Sequence, residues 1–180
     1  MACASTRSAV RGPAVGSSSQ TDLLAAAIAG SFLSRVGRAL VNEPDTSDLG
    51  RPRRSLTEAM MTSASVIVCH DGAEDPRFVY VNFAAAALWK MSVEQMIGMP
   101  SRLSAPPERQ QERASALAEA GQCGVLVGYT GERIASDGTR FIIEDATLWN
   151  VELPGGVLGQ AATFDRWHEV PQRDSGGIVR

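Results

Sequence analysis

Lysine is nearly missing. Lys90 stands alone beside 16 arginines in 180 residues. With the abundant alanine, this reads as a coding bias, yet it has a chemical consequence: a Schiff-base mechanism would have to use Lys90. Cysteine is scarce too. Cys3, Cys69 and Cys123 lie far apart, an odd and unpaired set that excludes a disulfide framework or a zinc knuckle and suits a reducing, cytoplasmic setting. Long apolar runs are absent. The longest uncharged helical candidate covers 12 residues, 23–34, well short of the roughly 20 that span a bilayer, so no membrane partner is expected. A basic field is also missing: the net charge is −3 and the pI near 5.4. That excludes a dedicated nucleic-acid binder. What remains, 44% hydrophobic and 21% charged, is the composition of a folded domain with some decoration.

Residues 1–20 carry no acid, but hold Arg7 and Arg11 among Ser, Thr, Ala and Gly. Such a tail buries too little apolar area to offset its chain entropy and is expected to be disordered. Its composition also fits a plastid transit segment, the alternative to a plain floppy terminus. Residues 21–55 read as a helix and a linker. Asp22 is placed to cap a helix running to Val41, in which Leu24, Ile28, Phe32, Val36 and Leu40 recur every four residues. That stripe needs a partner, either the domain itself or a second copy in a homodimer through residues 22–41. The linker follows, with Pro44, Gly50 and Pro52 among charges.

Residues 56–167 read as the folded core. A capped helical turn begins after Ser55, with Glu58 at the capping-box position. Val66–His70 and Arg77–Val81 are strands around a turn. Asn82 is placed to cap a helix over Phe83–Lys90, and Ser92 and Gly98 bracket a short helical turn. A longer helix is expected from Ser104 through the Pro106–Pro107 pair to about Ala120, with Gly121 as its stop. Three strands follow: Val125–Ala135, Thr139–Leu153 across a Ser-Asp-Gly turn, and Val157–Trp167 across Pro-Gly-Gly. Residues 168–180 are expected to fray. The order predicts an α+β domain with a five-stranded antiparallel sheet and helices on one face, plus the N-terminal helix. The order resembles that of PAS domains; a cone-shaped α+β enzyme is the rival.

Several strings sharpen this. Phe78-Val-Tyr-Val-Asn-Phe-Ala-Ala-Ala-Ala-Leu-Trp89, Pro100-Ser-Arg-Leu-Ser104, Tyr129-Thr-Gly-Glu-Arg133, Ile143-Glu-Asp-Ala-Thr-Leu-Trp-Asn150 and Gly159-Gln-Ala-Ala-Thr-Phe164 occur in that order. Together they resemble the MEKHLA domain, a PAS-like domain found at the C-terminus of class III homeodomain–leucine-zipper plant factors and also alone. The resemblance covers about Leu23 to Trp167. It implies a PAS-like fold and a signalling role as a sensory or interaction module, and it brings no established ligand. The sequence shows neither a homeodomain nor a heptad zipper, so DNA binding does not carry over.

Cofactors known on PAS-like folds can be tested against the residues. Haem needs an axial ligand, and the long helix has no histidine; His70 and His168 lie at a strand end and in the tail. Haem is disfavoured. A flavin–cysteinyl adduct needs a cysteine where Met99–Ser104 has none, so it is disfavoured as well. The cofactor stays unknown.

Strand alternation supplies the candidate site. Phe141, Ile143, Asp145, Thr147 and Trp149 share one face, and two large apolar residues mark that face as inner. It would then present Asp145, Thr147 and Trp149 to the helices. Arg102 is the candidate partner for Asp145, Gln160 and Thr163 on the next strand add polar groups, and Trp89 adds a ring from the helix after Asn82. These seven residues are the candidate contacts for a small organic ligand or a protein partner. Each also has a plain structural reading: an ion pair locking helix to sheet, or core tryptophans. The enzymatic alternative, isomerase- or hydrolase-like, would use Asp145 or Glu144 as a base in an apolar pocket. No nucleophile–base set, metal cluster or phosphate loop accompanies them.

Overall fold

The structure, a computed structural model, describes residues 20–41 and 54–171. The N-terminal tail up to residue 19, most of the linker and residues 172–180 lie outside the described residues.

Asn82 organises the first half of the core. Its side chain is fully buried, and its Oδ1 accepts from the Ala85 N–H at 3.0 Å and the Ile67 N–H at 3.1 Å. Its Nδ2 donates to the carbonyls of Met60, Ser63 and Ser65. One amide therefore caps a helix and fixes the loop that enters the sheet. The elements it joins are α2 (Leu56–Met61), β1 (Val66–His70), β2 (Phe78–Val81) and α3 (Phe83–Trp89). Ser55 caps α2 through the Glu58 N–H, and Ser92 closes a full capping box with Gln95 on α4 (Val93–Met96).

The long helix starts later and ends later than its sequence suggests. Two 3-10 turns, Ser101–Ser104 and Pro107–Arg109, precede α5 (Gln110–Cys123). Pro106 is held extended (ψ 147°) because it precedes Pro107, so the helix cannot begin there. Ser104 donates to the Ser101 carbonyl instead of capping. Gly121 stays helical, and the chain turns at Gly124, with φ +82°. Cys123 is thus the last helical residue, not part of a loop.

The sheet is completed by β3 (Val125–Ile134), β4 (Arg140–Leu153), β5 (Val157–Phe164) and β6 (Arg166–Glu169). The order is β2-β1-β5-β4-β3, antiparallel throughout, with β6 also on β4. The third strand of the meander is broken at Asp165 into β5 and β6. Both halves pair with β4, as Thr147↔Thr163 and Glu144↔Arg166. Ladder pairing reaches Glu169, so His168 belongs to the sheet and not to a frayed end.

Both faces are covered. Helices α3, α4 and α5 pack on one, over Val66, Phe78, Trp89, Phe141, Ile143, Leu148 and Phe164. Helix α1 (Gln20–Val36) packs on the other with α2. It ends at Val36, five residues before the expected Val41, with the turn at Gly37 (φ +78°), and buries Ala25, Ile28 and Phe32 against Ile67, Tyr80, Trp149 and Val151. The apolar stripe is therefore spent on the chain's own sheet. Leu23 and Leu33, on the outward side, are about half exposed.

The alternation of β4 breaks at Asp145. Its φ is +53°, and Ile143↔Gly131 is followed by Ala146↔Tyr129, so β4 carries one extra residue there. Phe141 and Ile143 face α3–α5, and past the bulge Ala146 and Leu148 take that face. Thr147 and Trp149 are turned to the α1 side. A one-residue bulge inverts everything beyond it.

Candidate functional site

The expected ligand set divides into three places. Trp89 and Gln160 lie between the sheet and α5. Arg102 sits at the outer rim of the same region, but its partner is Asp75, at 3.0 and 3.2 Å. Asp145 is exposed and pairs with Arg166 at 3.1 Å, so the Arg102–Asp145 pair does not form. Trp149 is fully buried on the opposite face, its Nε1 donating to Ser31 Oγ at 3.0 Å and its ring edge-on to Phe32. Thr147 and Thr163 are cross-strand neighbours. Thr163 and Asp145 meet in a separate depression of about 210 Å³ beside Phe32 and Arg38. The bulge explains where Asp145, Thr147 and Trp149 lie, and Thr163, three residues from Gln160 on a regular strand, faces the opposite way. Glu144 is held by His168 Nδ1 at 2.9 Å on the surface. Neither Glu144 nor Asp145 stands in an apolar pocket, and the base assigned to either one loses its setting.

Among the described residues, a cleft of about 560 Å³ opens between α5, the β1–β2 turn and the start of β5. One wall is the turn His70–Pro76, held close by Gly72, whose missing Cβ leaves room for the Leu158 carbonyl. Asp71 shapes this turn, its Oδ1 accepting from the N–H groups of Ala73 and Arg77. The opposite wall is α5, through Gln110, Ala114, Leu117 and Ala118.

The cleft leads inward to a smaller pocket of about 40 Å³, walled by Trp89, Ile143, Leu148 and Phe164. His70, Arg113, Leu117 and Gln160 border both spaces. Gln160 donates to the Leu117 carbonyl at 2.8 Å and to Asn150 Oδ1 at 3.0 Å, tying β5 to α5. Asn150 in turn donates to the Gly121 carbonyl, and its own carbonyl accepts from Arg35 of α1. Trp89 donates to the Ser104 carbonyl and lies edge-on to Phe141 and Phe164.

Three polar residues of this inner pocket carry no place in the expected set. Arg113 on α5 is 8% exposed and Arg133 on β3 is 6% exposed. Among the described residues Arg113 has no hydrogen bond or ion pair. Burial and the neighbouring Arg133 charge bring it down to about 9. Arg133 donates to its neighbour's carbonyl, that of Glu132, and to the Tyr129 hydroxyl, and stacks on the Tyr129 ring, with no carboxylate on it. His70 is 6% exposed. Its Nδ1 lies 2.7 Å from the Asp71 carbonyl, so Nδ1 carries the proton, and its buried Nε2 has no partner. Burial, the largest cause, lowers it to about 4, so the ring is neutral near pH 7. The signal for Arg113 was present: residues 113, 116, 117 and 120 form the inward stripe of α5. Arg133 shares the inward alternation of Gly131 and Ala135.

An antiparallel sheet in the order β2-β1-β5-β4-β3, with helices between its second and third strands and a cleft under the last of them, defines a PAS-like domain. Two solved structures share the fold. A PAS domain of a protein from Colwellia psychrerythraea aligns with a TM-score of 0.51 at 19% identity, over 64% of this chain and 93% of that one. A light-oxygen-voltage domain studied with a flavin analogue aligns with a TM-score of 0.50 at 17% identity, over 66% and 87%. The MEKHLA domain profile matches residues 22–169, and the chain belongs to that family. No curated protein matches it. Among the described residues no helix is long and apolar enough to cross a membrane.

Proposed function

We propose that this chain is a sensory module that binds a small organic ligand between the sheet and α5. The reading rests on the cleft: about 560 Å³ of open space leading into a pocket that is apolar except for a few converging polar groups. That is the usual make-up of a small-molecule site. Trp89, Gln160 and Arg102 border it, with His70, Arg113 and Arg133. Signal would leave by contact with a protein partner, and Asn150 offers a route, since it touches the cleft's back wall and α1 at once.

The test is native mass spectrometry of freshly purified protein, paired with thermal shift against a library of small neutral and charged compounds. Binding is expected to disappear in Ala114→Trp, whose indole fills the exposed cleft wall without disturbing the core. If Ala114→Trp binds every compound as the wild type does, the cleft is not the site.

A further inference from the structure

The inner pocket is bordered by two guanidinium groups and by no acidic side chain among the described residues. Burying a cation without a counter-charge is strongly unfavourable, and Arg113 has no partner among the described residues that offsets it. Arg133 is bound only by neutral acceptors. The two charges also repel each other. Elsewhere the chain pairs its arginines freely: Arg140 with Glu108 and Glu132, Arg109 with Glu112 and Glu132, Arg102 with Asp75. Arg35, Arg38 and Arg77 carry no carboxylate either, but they are exposed to solvent; among the described residues, the buried arginines without one are the two that face the pocket.

We infer that the ligand is a small hydroxy acid, whose carboxylate enters the inner pocket between Arg113 and Arg133 and whose hydroxyl donates to His70 Nε2. The inference rests on the small-ligand reading above and adds the chemical class. Guanidinium forks match a planar carboxylate. The pocket's size agrees: about 40 Å³ holds a few water-sized groups, enough for a carboxylate and the carbon bearing it. The rest of the molecule must lie in the cleft. The His70 tautomer supplies the second criterion. With Nδ1–H donating to Asp71, Nε2 is a bare acceptor, and a hydroxyl satisfies it where a second carboxylate oxygen would not.

The experiment is a calorimetric and thermal-shift comparison of lactate, 3-hydroxybutyrate and salicylate with their amides, with propionate and benzoate, and with chloride and phosphate, at matched ionic strength. The acids are expected to bind at least about ten-fold more tightly than the amides, a gap typical of one charge-assisted contact. Arg113→Gln and Arg133→Gln should remove that gap. His70→Asn keeps a donor for Asp71 and should remove only the advantage of hydroxy acids over plain acids. Arg113→Met, which deletes the unpaired charge and keeps the packing, should raise the melting temperature of the unliganded protein. Equal binding of acids and amides overturns the inference, as does an Arg113→Met protein that melts lower than wild type. Chloride or phosphate binding as well as the organic acids overturns it in favour of an inorganic anion site. Neutral compounds that bind in the cleft while acids do not would sink the hydroxy acid alone. Binding by neither class would sink the small-ligand reading with it.

Discussion

Asn82 accepts two hydrogen bonds from backbone N–H groups and donates toward three carbonyls in a site closed to water. Asn82→Ala leaves the Ile67 N–H and the Ala85 N–H without their acceptor and is expected to cost about 3 kcal/mol, read by urea denaturation. Asn82→Asp keeps the cap acceptor and loses the donor, so it separates a simple cap from a hub. It should destabilise by a similar amount, whereas a residue acting only as a cap would tolerate it. His70 gives a pH signature. Its folded pKa of about 4 lies below the ordinary 6.5, so the unfolded chain binds more protons between those values. Stability from this residue is full above about pH 6.5 and is lost as pH falls toward 4, by up to about 3 kcal/mol. Denaturation midpoints measured from pH 7 to pH 4.5 should fall for the wild type and stay flatter for His70→Asn. The caps at Ser55, Asn82 and Ser92 and the turn at Gly98 were legible in the sequence because they act on neighbours within a few residues; the longer reach of Asn82 to Met60, Ser63, Ser65 and Ile67 was not. Arg113 and Arg133 follow the inward patterns of α5 and β3, but a pattern gives only the facing of a residue; that neither meets a carboxylate depends on contacts between distant elements.

At the scale of elements, β4 explains why the strands were legible and their faces were not. Alternation predicts facing only while the ladder is regular, and Asp145 inserts a residue at φ +53°. Asp tolerates the left-handed region better than most residues, and a β-branched side chain does not. Asp145→Gly should leave stability within about 1 kcal/mol of wild type, since it trades a backbone cost for an exposed ion pair. Asp145→Val should lose about 2 kcal/mol. Both are read by chemical denaturation, and an unchanged Asp145→Val midpoint would remove the bulge as a determinant of the fold. Helix α1 shows the converse. Its stripe was visible, but which surface it covers was decided by Trp149, whose side of the sheet the bulge had hidden. Phe32→Ala removes the ring packed edge-on against Trp149 and should cost about 3–4 kcal/mol, with a red-shifted tryptophan emission as the indole meets water.

Over the whole molecule, the sheet is a central layer with an apolar coat on each side. A chain beginning at Ser55 would lack α1 and expose Ile67, Tyr80, Trp149 and Val151 together. We expect such a chain to self-associate in light scattering while the full chain gives a smaller, fixed mass. A truncated chain that stays as dispersed and as cooperative in unfolding as the full one would show that α1 is dispensable to the core. The division of labour follows: α1 keeps one face dry, and α5 leaves the other partly open. The cleft and its arginines lie on the open side.

Lys90 sits at the left-handed turn that ends α3, with φ +55°. Its ammonium bonds Asp137 Oδ2 at 2.7 Å and Thr139 Oγ1 at 2.8 Å across the β3–β4 hairpin, holding the Asp137 carboxyl well below its usual range. Because no other residue carries an ε-amine, an acylating dye or cross-linker finds a single side-chain address in the whole sequence. The reagent would attach beside a known hairpin, half exposed and outside the cleft under α5. A composition bias thus leaves the protein with a built-in, mutation-free point of attachment for a fluorophore or a surface.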